Sequence, residues 1–224
     1  MNVLTNRVFG VVSLVIAAVV LTGCAKDPTK DKFVAEVNEA VEIKTPAVSD
    51  ESSGESTPIP EGINYTIDTS VSNITFAGSK VSGTHSGGWS KYDGTIIIPD
   101  GDFTKANVTI NIDMTSTYSD DADLTKKLVS EDFFEVDKYP TSTFISTSIK
   151  GEGEEFDVSG NLTLHGITKN LTFPVLLELN DSKLIVEAEF SFNRKDFDVN
   201  YNGLADDLIR DKVLMVFYVE ANTE

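Results

Sequence analysis

From Asn64 onward, apolar and polar residues alternate with a period of two, the pattern of β-strands with one buried face. In "NVTINIDM", Val108, Ile110, Ile112 and Met114 share one face, while Thr109, Asn111 and Asp113 share the other. In "KLIVEAEFSF", Leu184, Val186, Ala188, Phe190 and Phe192 oppose Glu187, Glu189 and Ser191. Similar runs occur at 74–81, 89–98, 144–149, 156–164, 171–179 and 213–219. Between the runs stand turn signals: Ser-Gly-Gly at 86–88, Pro-Asp-Gly-Asp at 99–102, a Gly/Glu-rich stretch at 150–155, His165-Gly166 and Asn180-Asp181.

Connections this short join antiparallel neighbours. Eight or nine consecutive strands therefore predict an all-β fold, either an up-and-down barrel or a sandwich. Closure favours the barrel, because it removes the long Val/Ile-rich edges that a sandwich would leave exposed. An eight-stranded barrel can be filled by side chains or can hold one small, elongated ligand. Two stretches break the pattern. "DADLTKKLVS" places Leu124 and Leu128 four apart behind an acidic start, which predicts a short helix at 121–129. Residues 193–212 read as an irregular loop of mixed charge.

The stretch "SEDFFEVDKYPTSTF" sets Phe133 and Phe134 among acidic residues. Tyr139 precedes Pro140 and is pushed to extended geometry, so the next strand is expected to start there. The two rings are expected to anchor a cover. One packs the helix on the barrel and the other reaches the cavity mouth, with Glu131, Asp132, Glu135 and Asp137 facing water.

The first 61 residues differ from the rest. Residues 1–23 carry Arg7, an apolar run at 8–20 and then Leu21-Thr22-Gly23-Cys24, which reads as a secretory signal. The run is shorter than the roughly 20 residues that a membrane-spanning helix needs. The segment ending at Cys24 resembles the lipobox of bacterial lipoproteins, which implies cleavage before Cys24 and its acylation, and so attachment to a membrane. Cys24 is the only cysteine, so no intramolecular disulfide can form. Several acyl chains give stable anchoring where one does not. Ala25 after Cys24 favours outer-membrane sorting by analogy with well-studied envelopes. The expected location is the cell envelope, at the outer membrane, facing the periplasm or the cell surface. Residues 24–61 are rich in charge, Ser, Thr and Pro and are expected to form a flexible acidic tether. The barrel domain is expected to span 62–224. The chain's net charge of −18 argues against a nucleic-acid partner.

Four segments together resemble the YceI-like family of secreted, lipocalin-like lipid-binding proteins: "GSKVSGTHSGGW", "SEDFFEVDKYPTSTFIST", "GNLTLHGITKNLTFPV" and "FNRKDFDVNYNGLADDLIRD". The resemblance implies an eight-stranded antiparallel barrel, lipocalin-like, with one or two short helices and an apolar interior that holds a long isoprenoid or other lipid. It implies no catalytic machinery. One departure is Asp198, where members of the family often carry glycine, so the backbone there is an open question.

Candidate chemistry is sparse. His85 and His165 lie in separate turns and are expected to make structural or pocket-rim hydrogen bonds, with no metal site and no cofactor. Asp206, Asp207, Arg210 and Asp211, with Arg194 and Asp196, form the densest charge cluster. A hydrolase would use Asp206 or Asp207 with His165, but no Gly-x-Ser-x-Gly elbow or phosphate-binding loop occurs, and a non-enzyme is expected. The expected ligand-lining residues are Phe76, Trp89, Ile110, Ile112, Met114, Phe133, Phe134, Phe144, Leu162, Leu164, Phe173, Phe190, Met215 and Phe217. Aromatic and methionine side chains adapt to an irregular apolar guest. The alternative is a solid barrel acting as a protein-interaction module of the envelope.

Overall fold

The computed structural model describes residues 26–43, 62–180, 182–201 and 208–223. In chain order the strands are β1 (Glu36–Glu39), β2 (Ile63–Ile67), β3 (Asn73–Lys80), β4 (Gly83–Trp89), β5 (Tyr92–Ile98), β6 (Asn107–Asp113) and β7 (Thr117–Ser119). After helix α1 (Ala122–Val129) come β8 (Thr141–Glu152), β9 (Glu155–Leu164), β10 (Ile167–Leu179), β11 (Lys183–Asn193) and β12 (Lys212–Thr223).

Every pairing between these strands is antiparallel, and the pairings close a ring: β8–β9–β10–β11–β12–β2–β5–β6 and back to β8. Three staves of this eight-stranded barrel are interrupted. β2 and β3 lie end to end along β12, pairing with 221–223 and 214–218. β4 continues β5 on the next stave, and β7 continues β6. The third break is a 3-10 turn, Met114–Ser116, capped by Asp113, whose side chain accepts a hydrogen bond from the Thr115 N–H at 2.9 Å. The apolar faces read from the sequence point inward, and Ile96, Ile98, Leu171, Phe173, Leu184, Phe190 and Val219 are buried.

The His165-Gly166 turn has φ of 52° and 76° at its two residues, the type I′ geometry that matches strand twist. The Ser-Gly-Gly stretch is not a turn. Gly87 and Gly88 lie inside β4, where a Cβ would strike the Tyr118 carbonyl and the Phe76 ring at Gly87, and the Ile74 carbonyl at Gly88. Glycine permits β3 and β7 to approach β4 this closely. Asp198 adopts the left-handed conformation, φ 53°, closing the 3-10 turn Arg194–Phe197. Its N–H donates to the Arg194 and Lys195 carbonyls, and its carboxylate accepts from Asn200 at 2.6 Å. That local bonding lets an aspartate occupy a glycine-like backbone.

The N-terminal segment departs from the expected tether. Residues 26–43 lie along the barrel, where β1 pairs with β10 from Glu36↔Thr172 to Glu39↔Lys169. Ala35 is buried, its N–H donating to the Ser191 carbonyl at 2.8 Å. Val41 exchanges two hydrogen bonds with the Asn161 side chain. An unpaired stretch of β10 supplies hydrogen bonds that the composition of the segment cannot reveal. The signal segment, Cys24 and residues 44–61 lie outside the described residues.

A candidate ligand cavity

Two chambers that share part of their walls occupy the barrel. The inner one encloses about 150 Å³ and is walled by Ile110, Ile112, Phe144, Leu162, Phe173, Phe190 and Phe217, among others. Its single polar wall residue, Ser142, spends its hydroxyl on the Thr163 carbonyl at 2.8 Å. Phe173 stacks on Phe190 at 4.2 Å, and Phe217 meets both edge-on at 5.9 and 6.0 Å. The outer chamber, about 460 Å³, opens at the end of the barrel that carries α1. Trp89, Leu164, Phe192 and Met215 line both chambers, where the two adjoin.

The mouth is built from the elements that the strand pattern excluded. α1 starts at Asp121, whose carboxylate accepts from the Leu124 N–H at 2.8 Å, and Leu128 is its buried residue. The chain then folds back on the helix, with the N–H groups of Phe134 and Val136 donating to the carbonyls of Leu128 and Val129. The reversal needs Glu135 at φ 46°. Both phenylalanines consequently line the outer chamber: Phe133 stacks on Tyr201 at 5.4 Å and Phe134 lies 6.4 Å from the Trp89 ring. Of the four neighbouring acids, Glu131 and Asp137 are exposed, whereas Asp132 and Glu135 are half-buried. Glu135 reaches Lys138 at 3.4 Å and His165 at 3.8 Å.

The rim concentrates charge that the inner chamber lacks. Lys80, Lys127, Arg194, Arg210 and Lys212 face Asp121 and Asp123 around it. Arg194 is buried and holds the loop: its Nη1 donates to the Val199 carbonyl at 2.6 Å and its Nε to that of Arg210 at 3.4 Å. His85 binds Asp120 at 2.9 Å, tying β4 to the start of the helical excursion. The Ser86 backbone N–H, with the His85 ring behind it, holds the Asp120 carboxyl below the usual carboxylate range. His165 packs edge-on against Tyr139 at 4.7 Å.

Of the residues expected from sequence to line a cavity, the structure places all but Met114 in the walls of these two chambers. Met114 is fully buried in the core at the first position of the 3-10 turn that follows β6, outside the walls of both chambers. Phe192 was overlooked, although it shares the Phe190 face and lines both chambers. Tyr201 carried no periodic signal. Asp206 and Asp207 lie outside the described residues. Among the described residues no group of three or more His, Cys, Asp or Glu could hold a metal ion.

Comparison with known proteins gives the same picture of the fold. The model of the YceI-like domain matches residues 65–221. Protein YceI of Shigella flexneri is 34% identical over 119 residues, covering 50% of this chain and 62% of that protein. Protein YceI of Salmonella arizonae is 39% identical over 127 residues, covering 50% and 65%. The chain thus spans a little under two thirds of the length of these relatives. Among solved structures, BcnA of Burkholderia cenocepacia superposes with a TM-score of 0.64 at 21% identity, over 69% of this chain and 98% of BcnA. A polyisoprenoid binding domain from Saccharophagus degradans, implicated in plant cell wall breakdown, does so with 0.61 at 18% identity, over 72% and 99%.

Proposed function

This chain belongs to the YceI-like family, and on that premise we propose that it carries a long hydrophobic, isoprenoid-like lipid in its barrel, in the cell envelope, for storage, transport or protection. The observation that carries the reading is the pair of adjoining apolar chambers, one at the open mouth and one in the aromatic interior. The volume of the outer chamber lies within the range of ligand pockets, roughly 300–1,000 Å³. Apolar walls offer water few partners, and a chain that buries about ten methylenes gains about 8 kcal/mol before ordering costs. Partition accounts for such binding without a reacting group. The polyisoprenoid binding domain with the same fold supports this ligand class by analogy.

The lipid-anchored location rests on the lipobox-like Leu21-Thr22-Gly23-Cys24. Two residues downstream, the Lys26 carbonyl accepts from the Thr84 hydroxyl at 2.8 Å, and Asp27 pairs with Arg210 of the cavity rim at 3.5 Å. A two-residue span reaches about 7 Å, so an acylated Cys24 would hold the mouth beside the bilayer from which a lipid is loaded. Val81 and Leu208, both exposed at that rim, suit such contact. Native mass spectrometry and lipid extraction of protein purified from its own membrane test the carrier reading, and a filled barrel without co-purifying lipid defeats it. Palmitate labelling tests the anchor, which fails if Cys24→Ser labels as well as the parent.

A further inference from the structure

The barrel wall has a weak seam beside the inner chamber. The ladder between β10 and β11 is four pairs long, from Leu176↔Glu187 to Leu179↔Leu184, although the strands run 13 and 11 residues. Pro174, just beyond that ladder on β10, has no N–H to extend it. Continued in register, the ladder would set Thr172 opposite Ser191. Residues 33–39 are inserted there instead. Glu36 pairs with Thr172, and both backbone groups of Ser191 bond the inserted segment: its N–H donates to the Phe33 carbonyl and its carbonyl accepts from the Ala35 N–H, each at 2.8 Å. At this level the wall is therefore a strap that precedes the YceI-like match, which begins at residue 65. Its Ala35 is buried in the core, and Val37 packs against that core.

The strap is held unequally on its two sides. Towards β10 and its neighbour it has the four-pair ladder of β1, the two bonds between Val41 and the Asn161 side chain, and the Glu39–Lys169 ion pair at 2.7 Å. Towards β11, among the described residues, its backbone bonds are the two at Ser191. They are joined by the Ser191 hydroxyl on the Phe33 carbonyl at 3.1 Å and by the exposed Lys32–Glu189 ion pair, which holds little despite its 2.6 Å. We propose that the seam between the strap and β11 is a side entrance to the inner chamber, which parts to admit the chain of a hydrophobic lipid while the strap stays on β10. Leu171 and Phe173 of β10 and Phe190 and Phe192 of β11 wall that chamber, so parting the seam beside them uncovers it. Phe33 and Val34, 46% and 45% exposed, give the entrance an apolar outer lip. A few bonds gathered around one residue open locally at lower cost than the long ladders on either side. The inference rests on the lipid-carrier reading and adds a loading route distinct from the mouth under α1.

Two engineered disulfides in the full-length, delipidated protein test the route, with Cys24→Ser so that the new pair holds the only thiols. Val34→Cys with Ser191→Cys bonds the strap to β11, and Glu36→Cys with Thr172→Cys bonds it to β10; each pair stands opposite in register. The probe is geranylgeraniol supplied from phosphatidylcholine vesicles. Its entry is followed by the emission of Trp89, the only tryptophan of the chain and a wall of both chambers. Oxidation of the β11-side pair is expected to slow uptake about tenfold at unchanged affinity, with recovery on reduction, whereas the β10-side pair changes the rate by less than about twofold. Unchanged uptake behind a β11-side disulfide verified by mass, or equal slowing by both pairs, overturns the side entrance and leaves the carrier reading intact. Where a pair does not form, hydrogen exchange of the parent protein decides: the Ser191 amide should exchange about tenfold faster than the bonded amides of the β10–β11 ladder, and equal protection overturns the proposal. Failure of the probe to enter the reduced proteins overturns the carrier reading as well.

Discussion

The two ends of this barrel are held closed by different forces. At the inner end, continuous backbone ladders run through β12, β2, β5, β6 and β8, so every stave is bonded to both neighbours. At the mouth, β7 pairs with β4 on one side, and no ladder joins it to β8 among the described residues. α1 and the Phe133-Phe134 segment cover that side, held by the Asp121 cap, a ring stack on Tyr201 and the turn back along the helix. Ladders open cooperatively, whereas a short helix with few buried residues opens locally at lower cost. Closure by hydrogen bonds suits a container, and closure by side chains would suit a door.

Substitutions at the two ends should separate these roles. Phe173→Ala removes a ring stacked in the inner chamber and is expected to cost about 3 kcal/mol of global stability, read from denaturant midpoints at unchanged slope. Phe133→Ala should cost less, about 2 kcal/mol, because the mouth can relax. It should also speed lipid release and raise hydrogen exchange in residues 122–136, with β9 and β10 unchanged. Equal global losses from the two variants would erase the distinction between the ends. Asp121→Ala removes the helix cap and is expected to cost about 1 kcal/mol, confined to the mouth.

The smallest effect comes with pH. Asp102 and Asp113 each accept a hydrogen bond from the threonine hydroxyl two residues on, and that bond is the main reason their carboxyls titrate below the ordinary 3.8. Asp120 is lowered as well, chiefly by the Ser86 backbone N–H. A lowered folded-state value means that the stabilisation is fully present above about 3.8 and is lost as pH falls through the lowered values. The melting temperature should therefore decline below pH 4. Asp120→Asn should flatten part of that decline and loosen the mouth, where Asp113→Asn touches only the β6–β7 turn.

Much of this architecture was legible because strand periodicity is local: a side chain's face follows from its neighbours two residues away. The walls around Ile110, Phe144, Phe173 and Phe217 could be read in that way, as could α1 from its capping aspartate. Where the readings missed, a partner distant in sequence had decided the matter. Gly87 and Gly88 look like a turn until β3 and β7 close on them from both sides. Met114 keeps the alternation in sequence but falls in a 3-10 turn, where its N–H donates to the Pro140 carbonyl at 2.9 Å. β1 has a tether's composition and becomes a strand because β10 offers an edge.

By itself, the sequence determined an antiparallel all-β domain, its short helix, its apolar inner faces and its likeness to one family, since each of these is encoded in spacing and order along the chain. Only the tertiary structure decided that the ring is hollow. The same alternating faces could meet and fill the interior, and whether they do depends on how eight staves tilt and stagger when they close.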